Sequence, residues 1–162
     1  MGSSSQAGTV AATRTRAILF VTLGAGFMSG LDLFVVNVAF DPIGASLGVG
    51  TGGGPSMADL SWILNIYAVV FAALLVPFGR LADRYGRKRI FVGGLALFVL
   101  ASAACALSGN VWMLVVFRGL QAAGAAAMTP TSLSILMAAL PPQKRLGGVR
   151  MWSAVGAIAA AV

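Results

Sequence analysis

Gly79-Arg80-Leu81-Ala82-Asp83-Arg84-Tyr85-Gly86-Arg87-Lys88-Arg89-Ile90 is the most charged stretch of a strongly apolar chain. An apolar run from Trp62 to Phe78 precedes it, and another from Ile90 to Leu107 follows. Each run approaches the ~20 residues that a helix needs to cross a bilayer. The stretch therefore reads as a short loop joining two membrane helices. Five of its residues are Arg or Lys. Membrane proteins keep such loops on the cytoplasmic side. That placement orients every other helix.

Composition agrees with a membrane protein. Of the 162 residues, 59% are hydrophobic and only 9% are charged. Soluble domains carry ~25% charged residues, and the mean hydropathy here is +0.93. The formal net charge of +7 is read as topology. The basic residues sit at the ends of apolar runs, so the charge argues for membrane orientation and against nucleic-acid binding. The chain has no His and one Cys. Neither an internal disulfide, a Cys/His metal cluster nor a Ser-His-Asp arrangement is available. No enzyme activity and no cofactor are expected. Cys105 reads as a small packing residue in an apolar helix.

Outward from the basic stretch, the expected fold class is all-α: a polytopic membrane helix bundle of about four full spans and a shorter fifth. Residues 1–16 read as a disordered cytoplasmic tail. Helices are expected at about 17–40, 61–81, 89–108, 111–140 and 149–162. The first run is too long for a signal-peptide core, which has ~7–15 residues. It contains Gly26 and Gly30, a Gly-x-x-x-Gly pair that lets helices approach closely. Residues 41–60 carry Asp41 and Asp59 but no Lys or Arg, as an external loop should. Gly109-Asn110 predicts a tight external turn. Pro130 predicts a kink in the fourth helix. Pro141-Pro142 and Lys144-Arg145 predict a second basic internal loop. On this topology ten of the eleven Lys and Arg residues face inward, and only Arg118 falls inside a span. Random loop placement would rarely segregate charge so cleanly. The apolar run after Arg150 has 12 residues, shorter than a span, so the chain is expected to be a fragment of a larger protein, partnered by further helices of that protein.

Two ionisable residues lie at membrane depth, where such groups are costly and mark function. Asp32 stands eight residues before Phe40, and Arg118 seven residues after Val111. At 1.5 Å per residue both lie ~11–12 Å below the outer surface. They can pair if the first and fourth helices are neighbours. Gln121 follows Arg118 by three residues and Ser29 precedes Asp32 by three, so each charge has a polar neighbour on its own face. An Asp in a low-dielectric cavity can load and release a proton, while a neighbouring Arg stays charged and competes with that proton. The proton-coupling candidates are accordingly Asp32 and Arg118. A static ion pair between helices is the plainer alternative. Asn37, Asn65 and Gln121 are candidates for lining a cavity, since a polar group at this depth needs a partner or water. Trp62, Tyr67, Phe71, Trp112, Met113 and Trp152 read as packing or interfacial anchors.

Three motifs carry a family resemblance. Gly79 to Lys88 resembles the cytoplasmic loop signature Gly-x-Leu-Ala-Asp-Arg-x-Gly-Arg-Lys of the major facilitator superfamily. Leu31 to Phe40 resembles the first-helix motif of its fourteen-helix drug:proton antiporters of the EmrB/QacA type, with Phe34 in place of Thr and Asp41-Pro42 shifting the helix exit by one residue. Arg118 to Ala126 resembles the fourth-helix motif Arg-x-x-Gln-Gly-x-Gly-Ala-Ala, with Ala122 in place of Gly. Gly156 is similar to the opening glycine of the family's antiporter motif. The resemblance implies the N-terminal part of a proton-coupled multidrug exporter in the cell membrane, whose partners are the lipid bilayer, protons and a small organic substrate, often cationic or amphipathic. A facilitator for another metabolite, and a membrane remnant or subunit that does not transport, are the alternatives. The resemblance also implies that Gly79, Asp83, Arg84, Gly86, Arg87 and Lys88 form a cytoplasmic gate. Asp83 and Arg87 are spaced i,i+4, so a local surface pair is the simpler expectation for them.

Overall fold

The computed structural model describes residues 3–38, 42, 45 and 56–161, and the side chains of 15–34, 36, 42, 45 and 56–159. Among the described residues the chain is helical without strands: α1 (Ser3–Val38), α2 (Met57–Tyr85), α3 (Arg87–Ala106), α4 (Val111–Ala139), a 3-10 turn (Pro142–Lys144) and α5 (Arg145–Ala161). Within α1 the segment Thr15–Phe34 is long and apolar enough to span a bilayer, as are α2, α3 and α4. Large apolar side chains such as Phe20, Met28, Val69, Val92, Leu100 and Val116 point outward. A polytopic membrane protein presents such a surface to lipid.

Local chemistry sets the helix ends. A capping box starts α2: Asp59 N–H donates to Ser56 Oγ (3.2 Å), and Ser56 N–H donates to Asp59 Oδ2 (2.9 Å). Both otherwise orphaned donors are thus satisfied, and α2 begins at Met57, four residues before the expected start at 61. It ends at Gly86, whose φ is +98°. That conformation strains any residue with a Cβ. The basic stretch is therefore not a loop. Residues 79–85 belong to α2, residues 87–90 to α3, and Gly86 alone breaks the helix between them. Asn110 caps α4 by accepting from Met113 N–H at 2.8 Å, on the turn expected from the sequence.

The N-terminal segment differs from expectation. The tail read as disordered is helical from Ser3 and continuous with α1. Ala7, Ala11 and Ala12 have high helix propensity, and a helix already nucleated by the span below propagates cheaply. The external loop expected at 41–60 lies largely outside the described residues. Helix α4 runs unbroken through Pro130. Beside that proline, Thr129 Oγ1 and Thr131 Oγ1 donate to the carbonyls of Ala125 (2.9 Å) and Ala127 (2.6 Å).

Helix α4 is the axis of the bundle. It packs on α1, α2, α3 and α5, most extensively on α3. Its inner residues are small: Ala122, Ala125 and Ala126 have no exposed surface. Lipid tails are as apolar as Leu, so helices in a membrane associate by close packing, which small residues permit. Gly94 of α3 and Gly124 of α4 bring the two backbones close together. A Cβ on Gly124 would lie 2.7 Å from the Phe98 nitrogen and 2.8 Å from the Gly94 carbonyl oxygen. The Gly26/Gly30 face of α1 packs on α5: a Cβ on Gly30 would stand 3.0 Å from Ala159 Cβ, and one on Gly26 3.5 Å from Trp152 Nε1. Gly79 has open space where its Cβ would be.

Candidate functional site

The crossing of α1 and α4 brings Asp32 and Arg118 into contact. Arg118 Nη1 donates to Asp32 Oδ2 at 2.6 Å. Arg118 Nη1 also donates to Gln121 Oε1 at 2.9 Å, and Gln121 Nε2 donates to Asp32 Oδ1 at 2.8 Å. The three side chains close a ring in which both carboxylate oxygens are bonded and the Gln121 amide is oriented from both ends. The sequence matched the depths of Asp32 and Arg118; the helix packing supplies the contact. Arg118 is 4% exposed and Asp32 16%, so the charged pair lies mostly out of solvent but the acid remains the more accessible partner. Burying two charges is tolerable only with good geometry and additional hydrogen bonds, which Gln121 provides.

Two neighbours complete the site. The Arg118 guanidinium lies over the Tyr67 ring, 4.3 Å from its centroid, a cation–π contact strengthened by burial. Tyr67 is itself buried and donates its hydroxyl to the Ser29 carbonyl at 3.4 Å. The Cys105 thiol lies 3.8 Å from Gln121 Oε1. Asp32, Cys105, Arg118 and Gln121 together line a cavity of about 330 Å³, with Ser102 and Ser108 on its α3 side. Arg118 Nε is buried with no hydrogen-bond partner. An unsatisfied guanidinium nitrogen beside a polar cavity is a position that water can fill.

The other candidates fare differently. Gln121 joins the site, whereas Asn65 is exposed and lines none of the cavities described here. The Asn37 side chain lies outside the described residues. Ser29 does not accompany Asp32 through its hydroxyl, which donates to the Gly26 carbonyl at 3.1 Å. Ser and Thr in helices commonly bond back to their own helix in this way. Asp83 and Arg87 form an exposed pair at 3.2 Å, and Arg84 lies over the Tyr85 ring at 5.6 Å. Trp62 and Trp112 are exposed, as interfacial anchors would be. Tyr67, read as a packing or interfacial anchor, is buried in the core and is also the platform of Arg118. A Tyr at mid-membrane depth must find a partner for its hydroxyl, and that was the signal available in the sequence.

Comparison with known proteins places this geometry in a family. Residues 22–162 match the Major Facilitator Superfamily. Over 147 residues the chain is 37% identical to the multidrug resistance protein Stp of Mycobacterium tuberculosis, covering 90% of this chain and 26% of that protein. It is 39% identical over 146 residues to the methylenomycin A resistance protein of Bacillus subtilis, covering 89% and 30%. It is 39% identical over 138 residues to the tetracenomycin C resistance and export protein of Streptomyces glaucescens, covering 85% and 24%. The chain thus spans about a quarter to a third of the length of these curated relatives. With most of its length matched and with apolar helices of membrane-spanning size, this chain is a multi-pass membrane protein that belongs to the Major Facilitator Superfamily.

Proposed function

We propose that the chain forms the first helices of a secondary transporter that exports small organic compounds in exchange for protons. The observation that carries this reading is the Arg118–Asp32–Gln121 ring at membrane depth. A carboxylate there has two competing cationic partners, the guanidinium and a proton. When the proton arrives, Asp32 becomes neutral and its hold on Arg118 weakens; when the proton leaves, the pair re-forms. A transporter that alternates between sides can use this exchange to tie proton entry to cargo exit. The relatives named for drug resistance and export support the direction of transport and the cargo class. The basic α2–α3 junction favours a cytoplasmic N-terminus by the positive-inside rule.

The test is transport by the protein in its full encoded length. In everted membrane vesicles, efflux of an organic dye should follow an imposed pH gradient and stop when a protonophore collapses it. Export that ignores the gradient would overturn the proton-coupled reading.

The gate assigned to Gly79, Asp83, Arg84, Gly86, Arg87 and Lys88 is part of the same proposal. As an isolated exposed i,i+4 pair, Asp83 and Arg87 contribute only ~0.3–0.5 kcal/mol. Asp83→Asn should nevertheless slow export severalfold, with thermal stability in detergent almost unchanged, because a gate must pair and unpair in each cycle. Wild-type export rates in this variant would leave the local surface pair as the whole role of Asp83.

A further inference from the structure

Asp32 lines two cavities of different polarity. The first, of about 330 Å³, has Ser102, Cys105 and Ser108 on its α3 side and Arg118 and Gln121 on its α4 side. The second, of about 310 Å³, is walled by Phe27, Met28, Leu31 and Phe98, with Ser102 as its one other polar residue. We propose that the first cavity is the route by which protons from the outer side reach Asp32, with Ser102 as a relay group. The proposal rests on the proton-exchange reading above and names the path for it.

On the orientation favoured by the basic α2–α3 junction, α3 runs outward and ends at Ala106. Ser102 stands six residues before Ser108, so these side chains cover ~9 Å of depth at ~1.5 Å per residue. By the same rise Asp32 lies ~11–12 Å below the outer surface. The α3 stripe thus spans most of the distance from that surface to the acid. The cavity has room for on the order of ten waters, at ~30 Å³ each. Its lining also calls for water. The Arg118 side chain is 4% exposed, and its Nε has no hydrogen-bond partner. A buried donor in that state needs an acceptor, and a water oxygen in the cavity supplies one.

Ser102 is the lining hydroxyl that is free to pass a proton. It has no hydrogen-bond partner among the described residues. Ser108 Oγ instead donates to the Cys105 carbonyl at 2.6 Å, and the Cys105 thiol lies 3.8 Å from Gln121 Oε1. A serine hydroxyl both donates and accepts. In the relay, each water and Ser102 takes a proton on its oxygen and releases its own to the next group. The chain regains its composition, and one proton ends on the Asp32 carboxylate. The titratable groups that face Asp32 are Arg118 from α4, Tyr67 from α2 and Cys105 from α3. All three ordinarily hold their protons at neutral pH, which leaves Asp32 as the vacant acceptor. The charges of α5, Arg145 and Arg150, lie in its first two turns, at the cytoplasmic end.

The test uses the protein in its full encoded length in everted vesicles, where its outer face lines the lumen. Ser102→Val and Ser102→Thr have the same shape, and only threonine keeps the hydroxyl. Ser102 is exposed, so neither substitution disturbs the core. Gradient-driven dye export should slow by up to about tenfold in Ser102→Val, the effect of one lost hydrogen bond on a barrier. The KM for the dye should stay the same, and Ser102→Thr should export close to the wild-type rate. Acidifying the lumen should bring Ser102→Val back toward wild type, because proton arrival has become its slow step. A packing defect would not respond in this way. Equal rates in the two variants, or a valine defect that acid does not relieve, would overturn the route. Wild-type export that still follows the pH gradient would then leave the transport reading standing. Wild-type export that ignores the gradient would overturn that reading, and the route with it.

Discussion

Asp32→Asn is expected to abolish export driven by a pH gradient while the protein still inserts into the membrane. Asparagine keeps the size and shape of aspartate and retains one oxygen to accept from Arg118 or Gln121. It cannot take up or release a proton. It also turns an amide toward one of two donors, and it leaves the Arg118 guanidinium without its counter-charge. Removing one partner of a buried ion pair costs ~3–5 kcal/mol. The 16% exposure of Asp32 puts this site at the low end of that range. Two measurements separate the effects. Thermal unfolding in detergent reads the loss of the pair. Gradient-driven dye export in vesicles reads the loss of coupling, and downhill movement of the same dye should persist. Undiminished gradient-driven export by the variant would reduce the Arg118–Asp32 pair to a structural clasp between α1 and α4.

Gly124→Ala is expected to have the largest effect on folding. The added methyl would lie 2.7 Å from the Phe98 nitrogen, 2.8 Å from the Gly94 carbonyl oxygen and 2.9 Å from Phe98 Cα. All three are backbone atoms of α3, so no side chain can rotate away and the two helices must separate. The α3–α4 interface is the most extensive in the bundle, and with little hydrophobic drive between helices in lipid it depends on that close approach. Overpacking costs ~1–3 kcal/mol, with the upper end expected against a rigid backbone. A lowered melting temperature in detergent and reduced yield of folded protein would report it. Gly79→Ala is the internal control, because its Cβ position is open. Equal stability of the two variants would mean that α3 and α4 pack less tightly than the structure shows.

Four membrane-length helices and their rough extent were legible in the chain, because apolar length and the segregation of Lys and Arg are properties of the residues read in order. The sequence also singled out Asp32, Arg118 and Gln121, since a charge or amide in an apolar run is conspicuous whatever surrounds it. Local chemistry that it carries but that hydropathy does not weigh then moved the boundaries: the Ser56/Asp59 capping box lengthened α2 at its start, and Gly86 reduced the basic loop to one residue. Which groups meet depends on how the helices pack. Tyr67 under Arg118, Cys105 beside Gln121, and Trp152 fixed by Ser132 are partners from different helices, and the rotation of one helix against another sets such pairs. Asn65 shows the converse, a polar residue at membrane depth that its helix turns outward. Gly94 and Gly124 could be seen as glycines in the sequence, but only the crossing of α3 and α4 shows why a methyl group has no room there.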